Sequence, residues 1–262
     1  MDKNNKNSSN RNKNIFIILA VILIVVGVGI TIFQIISTEN AKQKDEELTS
    51  TTAAVQTTVA EPTVENKIDF KSLEKKNDEI YAWIKVPGTK VNYPIVQSRT
   101  NDSFYLKHSA TDKSYSSSGA IYTQSMNNKN FTDRVTLIYG HNGYGDTYFT
   151  TLHRFEKQDF FEKHKKFVIY TPNEKLTYRI VSAFKYDDRH IMNSFDFHDD
   201  DIFKEFIDMI QNPTSANKNV AKALDKEITI DDNIVVLSTC FTGQKSNRYL
   251  VCGVLIKNEK TN

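Results

Sequence analysis

The stretch "NIVVLSTCFTGQKSNRYLVCGVLI", residues 233–256, contains two runs of β-branched and apolar residues separated by a polar segment with a glycine. Two such runs on either side of a turn signal predict antiparallel strands joined as a hairpin. Both cysteines of the chain, Cys240 and Cys252, lie in this stretch. Cys240 ends the first run and Arg248 begins the second, so the hairpin predicts that these two residues face each other.

The two cysteines are not equivalent in such a hairpin. Cys252 lies four residues beyond Arg248, which at about 3.3 Å per residue puts it roughly 13 Å from Cys240 along the sheet. A disulfide needs Cα atoms within about 7 Å, so the pair cannot bond, and Cys252 between its valines is expected in the core. Cys240 has polar neighbours in Ser238 and Thr239. Both a buried core cysteine and a nucleophile remain possible for it.

Outward from the hairpin, six further short runs are rich in β-branched and aromatic residues, which is typical of strands. They are "WIKVPG", "VNYPIVQ", "GAIYTQ", "RVTLIYG", "KKFVIYT" and "KLTYRIVSAFKY". The last two are separated by "PNE" and predict a second hairpin. About eight strands with few helices predict a mainly β fold, a closed or nearly closed barrel with helical additions.

Two stretches have the spacing of one-sided helices. From Phe70 to Ile84, apolar side chains recur at intervals of three and four, and Asp69 precedes them as a candidate N-cap. Residues 199–211 repeat this pattern between the sixth and seventh predicted strands. Three aspartates suit the N-terminal end of this second helix, and Pro213 ends it.

The N-terminal part of the chain predicts a membrane anchor. Residues 15–36 are 22 residues without a charge, enough at about 1.5 Å per residue to cross a hydrocarbon core of roughly 30 Å. Lysines and an arginine precede them, which places residues 1–14 in the cytoplasm. The Thr/Glu/Ala-rich residues 37–67 predict an extracellular linker before a folded domain at 68–262. A cleaved signal peptide is the alternative, although its apolar region is typically about 7–15 residues.

A cysteine nucleophile needs a base or a cation nearby. His141 is the strongest candidate, because "TLIYGHNGYG" places it just past an apolar strand in a glycine-rich loop. The other five histidines lie in charged, helical or loop stretches and are expected at the surface. They are His108, His153, His164, His190 and His198.

The sequence favours neither a metal nor a cofactor. The acidic runs at 187–188, 199–201 and 231–232 lack the spacing of a calcium loop, so turn and helix-cap roles are expected for them. Neither H-E-x-x-H nor C-x-x-C is present, and "GHNGYG" lacks the lysine of a phosphate loop. The formal net charge of +2 gives no indication of nucleic-acid binding.

Taken together, these motifs resemble the sortase family. "VLSTC" followed eight residues later by Arg248, with "YGH" upstream, is similar to the sortase signature T-L-x-T-C with its later arginine and earlier histidine. "WIKVPGTKVNYPIVQ", "NDSFYLKHS" and "GAIYT" resemble the class B pattern in order and spacing. The resemblance covers residues 69–256. It departs at Val236, where the signature has its first threonine.

The resemblance implies an eight-stranded sortase-type barrel with an N-terminal helix and a helix inserted between strands 6 and 7. It implies a membrane-anchored transpeptidase of Gram-positive bacteria that cleaves a C-terminal sorting motif, N-P-x-T-N-like or related, in surface proteins. The new carboxyl end would then be joined to a peptidoglycan amine.

The resemblance also implies roles for individual residues. Cys240 would be the nucleophile, His141 the acid and base, and Arg248 the stabiliser of substrate and oxyanion. Ser238 and Thr239 beside the nucleophile, and Leu106 in "SFYLKH", are expected to contact the substrate, with core packing as the alternative for Leu106.

Two other functions are compatible with the same residues. One is a cysteine peptidase that only hydrolyses its substrate, although the order of histidine before cysteine differs from the papain-like enzymes. The other is a non-catalytic, membrane-anchored binding domain that uses the same barrel.

Overall fold

The computed structural model describes residues 63–143, 145–224 and 226–262. The predicted cytoplasmic segment 1–14, the anchor 15–36 and the linker up to residue 62 lie outside these ranges. No helix within the described ranges is both long enough and apolar enough to cross a membrane.

Nine strands form the frame of the domain. They are β1 (Ile80–Lys85), β2 (Asn92–Val96), β3 (Ile121–Tyr122), β4 (Val135–Tyr139), β5 (Lys166–Tyr170), β6 (Glu174–Asp187), β7 (Lys218–Val220), β8 (Ile234–Phe241) and β9 (Gln244–Lys260). Eight of them follow one another in the order β5-β1-β2-β3-β4-β8-β9-β6, and pairing of β5 with β6 closes the ring. The short β7 pairs with residues 182–184 of β6, past the segment of β6 that pairs with β5. The predicted mainly β fold with a closed eight-stranded barrel is confirmed.

The helical segments precede or connect the strands. They are α1 (Phe70–Lys76), α2 (Gln158–Lys163), α3 (Ile191–Ser194), α4 (Asp200–Gln211) and two 3-10 helices, Phe104–Leu106 and Thr150–Glu156. In chain order α4 lies between β6 and β7. The carboxylate of Asp199 accepts hydrogen bonds from two N–H groups of its first turn, the capping role expected of that aspartate.

The first helix is shorter than its apolar spacing predicts. Asp69 caps α1 as expected and accepts a hydrogen bond from the N–H of Ser72 at 3.0 Å. The prediction that the helix continues to Ile84 is wrong, because the chain turns extended at Asn77. The Asn77 amide is buried and donates to the hydroxyl of Tyr105 and to the carbonyl of Ala110. These tertiary bonds end the helix, and the following residues form β1.

The barrel packs apolar side chains on both of its faces. Alternate residues of β8 point to opposite sides, so Val235 and Leu237 belong to the cluster inside the barrel. Val236 belongs to an outer cluster that also contains the buried phenylalanines of α4. The register of β8 against β9 is unbroken from Ile234 to Cys240. Cys240 therefore lies on the same face as Val236, at the far end of the strand.

Candidate active site

Two parallel strands bring the predicted histidine and cysteine to the same edge of the barrel. β4 pairs with β8 in parallel register, with Tyr139 opposite Ser238. The N–H of Gly140 extends this pairing and donates to the carbonyl of Ser238 at 3.1 Å. His141 and Cys240 each lie two residues beyond that last matched pair. The two chain segments, about a hundred residues apart in sequence, thus end side by side.

The hairpin that carries the cysteine has the predicted register. Cys240 lies directly opposite Arg248, and Cys252 lies opposite Val236. The turn is tighter than the sequence indicates, since Phe241 already pairs with Gln244 across a two-residue connection. The register shift beyond Cys240 leaves residues 245–247 as an excursion of β9 just before Arg248.

The two cysteines have opposite environments. Both are free thiols, so the predicted absence of a disulfide between them is confirmed. Cys240 is exposed, and a buried core role for it is therefore wrong. Cys252 is fully buried in the outer cluster, as expected. Burial raises the pKa of Cys252 to about 12, so its thiol stays protonated and unreactive at neutral pH.

His141 is held by a backbone oxygen. Its Nε2 lies 2.7 Å from the carbonyl oxygen of Leu106, at the end of the first 3-10 helix. A carbonyl oxygen can only accept, so Nε2 must carry a hydrogen. Nδ1 is then the ring nitrogen available for proton transfer. The carbonyl of His141 in turn accepts from the N–H of Phe149 at 3.1 Å, which fixes the loop after β4.

The predicted site residues line one cavity of about 170 Å³. Its lining comprises Leu106, Tyr122, Tyr139, Gly140, His141, Ser238, Thr239, Cys240 and Arg248. All six residues predicted for catalysis or substrate contact are therefore brought together. Leu106 is 38% exposed at the rim, which contradicts the alternative of simple core packing. Thr239 is buried, and its hydroxyl has no hydrogen-bond partner among the described residues.

Two tyrosines that were not predicted from the sequence form an aromatic wall of the cavity. Tyr122 and Tyr139 stack with ring centroids 5.3 Å apart. Burial raises the pKa of Tyr122 to about 12 and raises the pKa of Tyr139 as well. Both side chains are therefore neutral phenols at physiological pH. The hydroxyl of Tyr139 lies 3.1 Å from Nε2 of His190, which in turn lies 2.7 Å from Oε1 of Gln124.

Of the other five histidines, which were expected at the surface, only His198 is exposed, and the remaining four are half-buried. His190 is half-buried beside Tyr139. His153 has only 14% of its side chain exposed and contacts the backbone of Cys240 from behind the cavity. The available sequence signal for His153 is the spacing of three to Glu156, which places an acceptor for its ring on the same short helix.

Comparison with known proteins identifies the family. Residues 84–256 match the family model described as Sortase domain. Sortase B of Staphylococcus aureus is 30% identical over 190 residues, which cover 72% of this chain and 75% of that protein.

Solved structures agree with this match. A Staphylococcus aureus sortase B–substrate complex has a TM-score of 0.64 at 29% identity and covers 84% of this chain and 94% of its own. Sortase B of Bacillus anthracis in complex with AAEK1 has a TM-score of 0.70 at 26% identity, covering 85% and 99%. The chain belongs to the sortase family, as a class B sortase and hence a cysteine transpeptidase.

Proposed function

We propose that this sortase cleaves a C-terminal sorting motif, N-P-x-T-N-like or related, in surface proteins and joins them to a peptidoglycan amine. One observation supports the assignment of roles. Cys240 and Arg248 face each other at the open end of β8 and β9, and His141 lines the same cavity from the adjacent parallel strand β4.

The first half of the reaction forms a thioester on Cys240. Its thiolate attacks the carbonyl carbon of the motif threonine, and the carbonyl oxygen becomes an oxyanion. Arg248, with several N–H donors and a permanent charge, stabilises that oxyanion. His141 then gives the proton on Nδ1 to the leaving amine, the scissile C–N bond breaks, and the acyl group remains on sulfur.

The second half transfers the acyl group to the amine. His141, now neutral, accepts a proton from the amine as its nitrogen attacks the thioester carbon. The C–S bond breaks, an amide forms, and the thiolate is regenerated. Catalysis needs a thiolate and an imidazolium at the same time, so only part of the free enzyme is competent. The pH–rate profile should be bell-shaped, and a profile with a single limb would contradict this mechanism.

The substrate contacts are assigned to Leu106, Ser238 and Thr239. Leu106 offers an exposed apolar side chain at the rim, suited to an apolar part of the motif. Thr239 lines the cavity directly before the nucleophile and is assigned a contact with the peptide backbone. Ser238 is buried in β8, two residues before the nucleophile, and lines the same cavity.

The proposed location is the cell membrane of a Gram-positive bacterium, with the catalytic domain 68–262 outside. The uncharged residues 15–36 and the basic residues before them support a single-pass anchor with a cytoplasmic N-terminus. Protease treatment of intact protoplasts should digest the catalytic domain and leave the first residues protected. Protection of the catalytic domain would contradict this orientation.

The decisive experiment incubates the full chain in detergent with a panel of sorting-motif peptides, with and without an amine acceptor such as triglycine. Mass spectrometry should show the motif cleaved after its threonine and joined to the acceptor. Cys240→Ala should abolish cleavage, whereas the matched control Cys252→Ala should retain it. Cleavage without joining would favour the hydrolytic peptidase, and binding without cleavage would favour the non-catalytic domain.

A further inference from the structure

Two side chains that do not line the cavity converge on the backbone carbonyl of Cys240. Nε2 of His153 lies 3.0 Å from this oxygen, and Nδ2 of Asn142 lies 3.1 Å from it. Asn142 also donates to Oγ1 of Thr242 at 2.9 Å, beyond the nucleophile. The ladder between β8 and β9 shifts register directly after Cys240. At this end of the strand, the carbonyl of Cys240 is thus held by side chains.

Two hydrogen-bond acceptors face the ring nitrogens of His153. Its Nδ1 lies 2.5 Å from Oε1 of Glu156, and its Nε2 faces the carbonyl of Cys240. A carboxylate and a carbonyl can only accept hydrogen bonds, so His153 can serve each of them only through an N–H. Nδ2 of Asn142 lies 3.2 Å from Nε2, farther than from its two oxygen acceptors, which use both amide hydrogens. The carbonyl of Cys240 thus lies within hydrogen-bond reach of two side chains, the ring of His153 and the amide of Asn142.

The ring of His153 is fixed by packing as well. It stacks on Tyr249 with centroids 4.9 Å apart and meets the edge of Phe241 at 5.8 Å. Glu156, behind it, accepts a further hydrogen bond from Nδ2 of Asn217 at 3.1 Å. A ring held on several sides can transmit its position to the group that it contacts.

We propose that His153, held by Glu156, is a positioning residue for the nucleophile. By donating to the carbonyl of Cys240, it fixes the last residue of β8 and so the direction of the thiol toward His141 and the substrate carbonyl. This inference rests on the proposed role of Cys240. It assigns no contact with substrate to His153.

The test compares two substitutions of His153 in the full chain with a matched control. His153→Phe keeps the stacking on Tyr249 but removes both donors, whereas His153→Gln keeps an N–H that can reach the Cys240 carbonyl. The control is His164→Phe, because His164 also stacks on a phenylalanine and bonds a carbonyl, both of Phe160.

We expect His153→Phe to lower kcat for peptide cleavage about 10- to 100-fold, with KM changed less than about 2-fold. A displacement of the reacting thiol by about 1 Å has an effect of this size. His153→Gln should recover a large part of the loss, and His164→Phe should retain the wild-type kcat. Wild-type kcat in His153→Phe would overturn the inference, and so would an equal loss in His164→Phe.

A second variant decides the matter if His153→Phe does not fold. Glu156→Gln keeps the size of the side chain and an acceptor for Nδ1 but removes the charge, and it should lower kcat with KM unchanged. Wild-type kcat in this variant would overturn the inference. The proposed function fails separately, and visibly, if Cys240→Ala still cleaves the peptide.

Discussion

Replacing Gly140 by alanine tests the packing that holds His141 in place. Gly140 joins β4 to His141 and donates to the carbonyl of Ser238. A Cβ atom added to it would lie 2.5 Å from Cδ1 of Ile121 and 2.6 Å from Cγ and Cδ2 of Phe149. Carbon atoms pack favourably at about 3.5–4.0 Å, so one partner in each contact must move by about 1 Å.

The cost of that movement follows from the surroundings. Ile121 and Phe149 are 1% and 0% exposed, inside the barrel, so neither can swing into solvent. Forcing a methyl group into such a core costs about 1–3 kcal/mol of the free energy of unfolding. At about 2–4 °C per kcal/mol for a domain of this size, Tm should fall by about 2–12 °C.

The same movement should reach the loop that carries His141. The N–H of Phe149 donates to the carbonyl of His141 at 3.1 Å, so a displaced Phe149 pulls on the residue proposed as acid and base. A misplacement of about 1 Å near a reacting group can cost about 100-fold in rate. We therefore expect kcat of Gly140→Ala to fall about 10- to 100-fold, while Cys240 is still alkylated by iodoacetamide.

The chain supplies its own control for this substitution. A Cβ atom on Gly143, three residues later in the same loop, would meet only Oγ1 of Thr147, at 3.6 Å. Gly143→Ala should therefore match wild type in thermal unfolding and in peptide cleavage. Adding Phe149→Leu to Gly140→Ala should partly restore Tm and kcat. Equal Tm and kcat values for Gly140→Ala and Gly143→Ala would refute the reasoning.

Three further outcomes follow from the described contacts. Native protein should take up one equivalent of iodoacetamide, on exposed Cys240, and Cys252 should react only after denaturation, which peptide mapping would show. Although burial alone would raise it, hydrogen bonds from Tyr105 and a backbone N–H lower the pKa of Glu79. Its stabilising contribution is thus present above the unfolded pKa of about 4.3 and is lost as pH falls. In Glu79→Gln, the free energy of unfolding measured in urea should therefore fall less steeply below about pH 4.3 than in wild type. Asp69→Ala removes the cap of α1 and should cost about 1 kcal/mol in urea unfolding with cleavage unchanged.

The hairpin that carries Cys240 could be predicted from the sequence because its register depends on neighbouring residues. Cys240 and Arg248 are eight positions apart, and the strand pattern on both sides leaves one pairing that buries the apolar residues. The boundary of α1 could not be predicted this way. The apolar spacing continues past Asn77, but the buried hydrogen bonds of its amide connect it to residues 28 and 33 positions away.

The difference between contacts of neighbouring residues and contacts of distant residues also explains which parts of the site were predicted. His141 follows an apolar strand, so its place at a strand end is visible locally. His153 lies in a short helix with charged neighbours, and its contact with Cys240 spans 87 positions. β7 has three residues, of which only Asn219 is buried, and it exists as a strand only through its pairing with β6. Contacts of this kind depend on the closed barrel.

The side chains proposed for catalysis are positioned through backbone carbonyls, and this affects how the site tolerates sequence change. His141 is held by the carbonyl of Leu106, and Gly119 packs so closely that an added Cβ would lie 2.5 Å from the same oxygen. Tyr105, the preceding residue, donates at 2.6 Å to buried Glu79. The Leu106 side chain takes no part in these backbone contacts and lies at the rim of the cavity. Substitutions of Leu106 should therefore change the preferred motif residue while the position of His141 is kept.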